Sequence, residues 1–246
     1  MTLRRWQLDA TVGVLVMAWA RVAAAYRPFD GTDADIAEPG EVELEIGPAG
    51  YSQEGSSRFI VAPAVVANYG FAPGLEAVVE GRQEFPVPEA QQLWAVGCFV
   101  KGLLRRGSLQ GNTGPSVALE VGMVFSGSES QWGAHVGSVF SYRWPAFTMH
   151  LNLVNDVRVS ERYEAGVSLI FEGPDSWRVR PVAEVLAERS FGPGDFYDGL
   201  SAGVLLGGIL RSTEMLSFDL GGRVGRTDRL YEAEVRAGFT WAFEPR

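Results

Sequence analysis

The chain has 246 residues, enough for one large all-β domain. Apolar residues make up 46% of it and charged residues 21%, a balance that excludes a disordered chain. The net charge of −9 argues against nucleic acid as a partner. A single cysteine, Cys98, excludes a disulfide framework and a thiolate metal site.

The N-terminus has the pattern of a secretory signal peptide. It carries two arginines near its start, an apolar run over residues 10–20 and three alanines at residues 23–25. We therefore predict that residues 1–25 are removed and that the mature chain is secreted. A short membrane anchor is the alternative interpretation, but the apolar run is too short to span a bilayer comfortably.

Residues 26–40 form an acidic, turn-rich segment, and we expect a solvated N-terminal extension. Asp30, Asp33 and Asp35 offer carboxylates of the kind that bind Ca²⁺. No twelve-residue calcium loop ending in glutamate accompanies them, and acidic segments are usually simply solvated. The sequence therefore predicts no metal and no cofactor.

From Glu41 to the C-terminus we predict one domain of about twelve strands. Most are longer than the roughly five or six residues usual in soluble sheets, and they suit a tilted strand that crosses a bilayer. The predicted strands cover residues 41–51, 58–70, 74–85, 91–106, 115–126, 132–144, 147–159, 162–173, 177–189, 198–211, 214–226 and 230–243.

Apolar and polar residues alternate along these strands. In residues 232–243 one row holds Val235, Phe239 and Trp241, and the other holds Glu234 and Arg236. A period of two predicts a strand with one apolar face. In a soluble protein that face is buried, whereas in a membrane barrel it contacts lipid. Residues 198–211 are apolar on both rows and fit this pattern least well.

Two features favour a membrane barrel over a secreted soluble β-sandwich or soluble barrel. Aromatic residues gather at the ends of the apolar rows, where membrane interfaces place them. The polar rows combine charges with glycine, which leaves room inside a narrow barrel. The predicted interface aromatics are Tyr69, Trp132, Trp144, Tyr163, Trp177, Tyr231, Trp241 and Phe243.

The predicted fold is an all-β, transmembrane, antiparallel up-and-down barrel. Alternate connections are short, as expected on the periplasmic side, although the loop at 107–114 is too long for that rule. The charged residues predicted to line the lumen are Glu76, Glu80, Arg82, Lys101, Glu120, Arg143, Asp156, Arg158, Glu164, Arg178, Arg180, Glu184, Asp219, Arg223, Glu232, Glu234 and Arg236.

Residues 29–48 and 62–82, together with the aromatic last strand, carry a resemblance to a known family. The sequences "FDGTDADIAEPGEVELEIGP" and "APAVVANYGFAPGLEAVVEGR" after a signal peptide are similar to outer-membrane barrels described as transporters of the phenol meta-degradation pathway. The resemblance implies a barrel fold and transport, and it brings no catalytic residues. Barrels of this kind often end on an aromatic residue, whereas three further residues follow Phe243 here.

The two histidines lie on strands joined by the tight turn at residues 144–147. Pairing across this turn places His150 opposite Ser141 and His135 opposite Asp156. Ser141, His150 and the nearby Asn152 offer a nucleophile, a base and an orienting amide. We favour the alternative that they are hydrogen-bonded lumen side chains, because such matches without a motif are common.

The predicted function is transport through the outer membrane of a Gram-negative cell. The chain is expected to be a transporter or narrow channel for small, apolar or aromatic molecules. Its expected partners are outer-membrane lipid, the barrel-assembly machinery and an unidentified small solute. A structural or adhesion barrel with a charge-filled lumen is the alternative, which the short outer loops disfavour. An outer-membrane lipid hydrolase is the distant third.

Overall fold

Twelve antiparallel strands close into a barrel, which confirms the fold predicted from the alternating segments. The computed structural model describes residues 27–88, 92–126, 131–159, 163–192, 199–227 and 230–244. The predicted signal peptide lies outside the described residues and stays a prediction.

Each predicted strand is present, and its ends differ from the prediction by at most three residues. The strands are β1 (Val42–Glu54), β2 (Ser57–Ala72), β3 (Leu75–Val87), β4 (Leu93–Arg105), β5 (Ser116–Ser126), β6 (Gln131–Arg143), β7 (Thr148–Arg158), β8 (Tyr163–Glu172), β9 (Val179–Phe191), β10 (Gly199–Arg211), β11 (Leu216–Thr227) and β12 (Leu230–Phe243). A 3₁₀-helix, η1 (Ser108–Gln110), lies between β4 and β5.

The barrel closes because β1 pairs with β12 as well as with β2. Val42 lies opposite Phe243, and Glu54 lies opposite Glu232. This closure pairs the edge strands, so that no strand of the sheet offers an open edge. We call the end with Val42 and Phe243 the terminal rim, and the end with Glu54 and Leu230 the opposite rim.

The apolar rows face outward along the whole wall. Leu206, Leu220 and Val235, all mid-strand, are between 55% and 63% exposed, whereas Glu234 and Arg236 of β12 are buried inside. A soluble protein rarely exposes a continuous apolar surface of this size. The barrel is therefore inverted relative to a soluble β-protein. Among the described residues no helix has the length and apolar character needed to cross a membrane.

The long loop at 107–114 covers the lumen at the terminal rim. Its helix η1 turns inward, and Leu109 packs against Ala34, Ala118 and Val139. This covering role explains why the loop is longer than the short turns expected on the periplasmic side. The predicted number of strands is correct.

Candidate functional site

Residues 27–40 lie inside the barrel rather than in solvent, which corrects the expectation of a solvated extension. Ala34 is fully buried and Asp33 is 4% exposed. We call this stretch the lumen segment. It runs from mid-barrel to the terminal rim, where the backbone N–H of Gly40 donates to the carbonyl of Gly70 at 2.7 Å.

Side chains from four strands hold the backbone of the lumen segment. Glu184 accepts the N–H groups of Asp30 and Gly31 at 2.8 and 2.9 Å, one on each carboxylate oxygen. Three further side chains accept backbone N–H groups farther along the segment. Asn152 accepts from Thr32 at 2.9 Å, Ser141 from Ala34 at 2.9 Å and Glu76 from Ala37 at 2.7 Å. A buried N–H group needs such a partner.

Gly31 permits a close approach of the segment to the wall. A Cβ at this position would clash with the Ser168 hydroxyl and lie 2.9 Å from Nδ2 of Asn152. Any larger residue would push the segment away from Glu184 and Asn152. The glycine is therefore required by the contact with β7 and β8.

Two arginines anchor the start of the segment through Asp30. Its carboxylate lies 2.8 Å from Nη1 of Arg223 and 2.7 Å from Nη1 of Arg236. Burial raises the pKa of Asp30, but the two guanidinium groups outweigh it and lower the pKa to about 2. Asp30 is therefore charged at neutral pH and fixes the segment electrostatically.

A lysine anchors the middle of the segment. Lys101 Nζ lies 3.2 Å from Oε1 of Glu76 and 3.9 Å from Oδ1 of Asp33. Burial raises the pKa of both Asp33 and Asp35. Asp35 instead accepts a hydrogen bond from Gln110 of η1 at 3.0 Å. The three aspartates considered for calcium thus contact protein groups, and the described residues contain no group of three or more acidic, His or Cys ligands able to hold a metal ion.

An apolar pocket in the wall receives Phe29. The ring packs with Ile170, Val182, Leu205 and Ile209. This contact explains why strand β10 is apolar on both rows. Its outward row forms the outer surface, and its inward row packs against the lumen segment.

The pairing predicted for the two histidines is confirmed. His150 lies opposite Ser141, and His135 lies opposite Asp156. Ser141 Oγ is 2.8 Å from Nδ1 of His150, and Nε2 of His150 is 3.1 Å from Oε1 of Glu172. The third side chain in this series of hydrogen bonds is therefore Glu172 rather than Asn152. Asn152 instead accepts the backbone N–H of Thr32.

His135 bridges two carboxylates deeper in the barrel. Its Nε2 lies 3.3 Å from Oε1 of Glu120, and its Nδ1 lies 2.7 Å from Oδ1 of Asp156. The ring also packs against Phe99, with centroids 4.8 Å apart. This cluster borders a cavity of about 410 Å³ that lies beyond residues 27–32, on the side facing the opposite rim. We call it the lumen cavity.

The structure places the charged residues predicted for the lumen on the inward rows, with one exception. Arg178 is exposed in the turn before β9, so its predicted place in the lumen is wrong. Arg178 lies on the predicted row, but β9 begins at Val179, two residues later than predicted. Many of the others form ion pairs, including Arg158 with Glu164 at 3.3 Å and Arg223 with Glu232 at 2.9 Å.

The predicted interface aromatics lie at the two rims and face outward. Tyr69, Trp144, Trp177, Trp241 and Phe243 belong to the terminal rim, and Trp132, Tyr163 and Tyr231 to the opposite rim. Several stack with neighbours, such as Trp144 on Phe147 at 4.7 Å between ring centroids.

Sequence reasoning missed part of the lumen lining. Glu43 and Glu45 of β1 are buried inward, although the alternation in "EVELEI" already carries this signal. The role of Arg27, which lies 3.4 Å from Asp219, could not be found, because residues 27–40 have no strand periodicity.

Comparisons with known proteins support the barrel fold. No protein-family model matches the chain, and no curated protein sequence matches it. The chain is similar to the NanC porin, with 10% identity and a TM-score of 0.61 over 81% of this chain and 98% of that one. It is also similar to the KdgM porin in complex with disordered oligogalacturonate, with 10% identity and a TM-score of 0.50 over 82% and 98%. The resemblance to phenol-pathway transporters is not confirmed.

Proposed function

We propose that the chain is an outer-membrane channel for small molecules whose own lumen segment closes the pore. The observation that carries the proposal is the arrangement inside a closed, outwardly apolar barrel. Residues 27–40 fill the terminal half of the lumen, and a cavity of about 410 Å³ lies in front of them. NanC and KdgM, which share the fold, are both porins.

The contacts of the lumen segment suit a plug that can be displaced. It is held mainly by hydrogen bonds and ion pairs that involve the side chains of Glu184, Asp30 and Lys101, and none of the twelve described strands pairs with it along its length. Water that enters the lumen can replace such polar contacts at modest net cost. A plug with these contacts leaves the wall of the barrel intact when it moves.

Conductance in planar bilayers tests this proposal. We expect the mature chain to be mostly silent, and a variant lacking residues 27–40 to give steady single-channel currents. A synthetic peptide of the segment, added to the deleted variant, should close these channels again. A variant lacking residues 27–40 that still shows the heat-dependent gel shift of a folded barrel but carries no current would contradict the proposal that the chain is a channel.

A second candidate is a hydrolase, because Ser141, His150 and Glu172 form a connected chain of hydrogen bonds. Two observations disfavour it. Ser141 and His150 are each 1% exposed, and Ser141 Oγ already accepts the N–H of Ala34. We assign Ser141, His150 and Glu172 the role of holding the lumen segment in place.

Replacement of Ser141 separates the two roles. Ser141→Ala should leave the hydrolysis of phospholipid and simple ester substrates at the background of the unaltered chain, and it should raise the fraction of open channels. Serine-dependent hydrolysis that disappears in this variant would instead support the enzyme.

A further inference from the structure

The lumen cavity is lined on one side by the barrel wall and on the other by the lumen segment. Its lining reaches from Phe29 and Gly31 of the lumen segment to Ala95 and Arg158 near the opposite rim. A volume of about 410 Å³ falls at the lower end of the range for small-molecule sites, roughly 300–1,000 Å³. The cavity is therefore sized for one small ligand.

Each basic group on the cavity wall already has a carboxylate partner. Arg27 pairs with Asp219, Lys101 with Glu76 and Arg158 with Glu164. His135 lies between Glu120 and Asp156. An anionic ligand would find no unpaired cation among the described lining residues.

Glu80 differs from these groups. Its side chain is exposed to the cavity, and among the described residues it makes no hydrogen bond and no ion pair. The neighbouring carboxylates Glu120 and Asp156 add to the negative potential there, and His135 between them offsets part of it. Low-dielectric walls concentrate such a potential and favour a mobile cation.

An aromatic ring lies beside the Glu80 carboxylate. A Cβ on Gly97 would lie 2.7 Å from Oε1 of Glu80 and would clash with the ring of Phe99. The carboxylate and the ring thus flank the same point on β4, which only glycine leaves free. A carboxylate next to an aromatic ring suits an organic ammonium group with an apolar body.

We propose that the lumen cavity binds a small organic cation that carries an apolar or aromatic body. Glu80 is the counter-ion, and Phe99 provides the apolar contact. The inference rests on the proposed function, because the ligand would reach the cavity through the proposed channel. It deepens the proposed function by naming the chemical class of the solute.

Three matched probes test the charge preference, namely phenylethanolamine, mandelate and phenylethanediol. They share a phenyl ring and a hydroxyl group and differ in being cationic, anionic and neutral. Calorimetric titration of the mature chain in detergent micelles reads binding without requiring conduction, so that a silent bilayer and a failed titration are distinguishable. We expect the cation to bind at least about tenfold more tightly than the neutral diol, and mandelate more weakly still.

Variants at Glu80 assign the preference to a residue. Glu80→Gln should reduce the affinity for phenylethanolamine about tenfold and leave that for the diol unchanged, whereas Glu80→Asp should keep the preference. Glu214→Gln, in the exposed turn between β10 and β11, is the matched control for net charge. The proposal is overturned if mandelate binds as well as the cation, if the cation does not bind, or if Glu80→Gln has no effect.

Discussion

Asp30 is the residue whose charge most directly fixes the plug. Because Arg236 and Arg223 hold its pKa at about 2, below the ordinary 3.8, its stabilising contribution is complete above pH 4 and is lost as the pH falls towards 2. Closed channels should therefore persist at pH 4 and open on further acidification. The measurement is the open fraction in bilayers as a function of pH.

Asp30→Asn should raise the open fraction about tenfold at neutral pH, as expected for losing a charged hydrogen bond of roughly 1.5 kcal/mol. Arg223 and Arg236 each keep a glutamate partner in this variant, which limits the damage to the wall. Glu214→Gln, in the exposed turn between β10 and β11, changes the charge equally and should leave the open fraction unaltered. Equal effects of the two variants would refute the anchoring role of Asp30.

Individual lumen residues were predictable wherever a strand fixed their row. The alternation placed Glu234 and Arg236 inward, and the tight turn after β6 correctly paired Ser141 with His150. Glu172 was missed as the partner of His150 because it lies on the next strand. Its contact depends on the spacing of three neighbouring strands rather than on one hairpin.

At the level of the strand, the outward rows should tolerate charge only near the rims. Leu220→Arg, in the middle of β11, should lower the free energy of unfolding in lipid vesicles by about 2–4 kcal/mol. Val157→Arg, near the opposite rim, should cost about 0–1 kcal/mol. Leu220 and Val157 are both exposed on the outer surface, and urea titration measures both variants. Costs near zero for both would indicate water rather than lipid around the barrel.

Strands were predictable because each carries its own period of two. The lumen segment was not, because its residues follow neither a helical nor a strand period. Its partners Glu184, Asn152, Ser141 and Glu76 come from four different strands. These side chains converge only after the barrel has closed, so local sequence patterns contain no signal for the contact.

For the whole molecule, the sequence limited the lumen to two outcomes, a charge-filled barrel or a slim channel. The structure divides the lumen into a filled part and a cavity. Ion pairs and the lumen segment fill the terminal half, and the cavity at Glu80 occupies the part towards the opposite rim. Predicting this division would have required knowing where residues 27–40 lie.

Cell fractionation followed by gel electrophoresis of heated and unheated samples tests the central claim that the outward rows face an outer membrane. We expect the protein in the outer-membrane fraction, with an unheated band that migrates apart from the boiled one, because a closed barrel resists detergent until it is heated. A soluble periplasmic protein that runs at one position with or without heating would contradict the account.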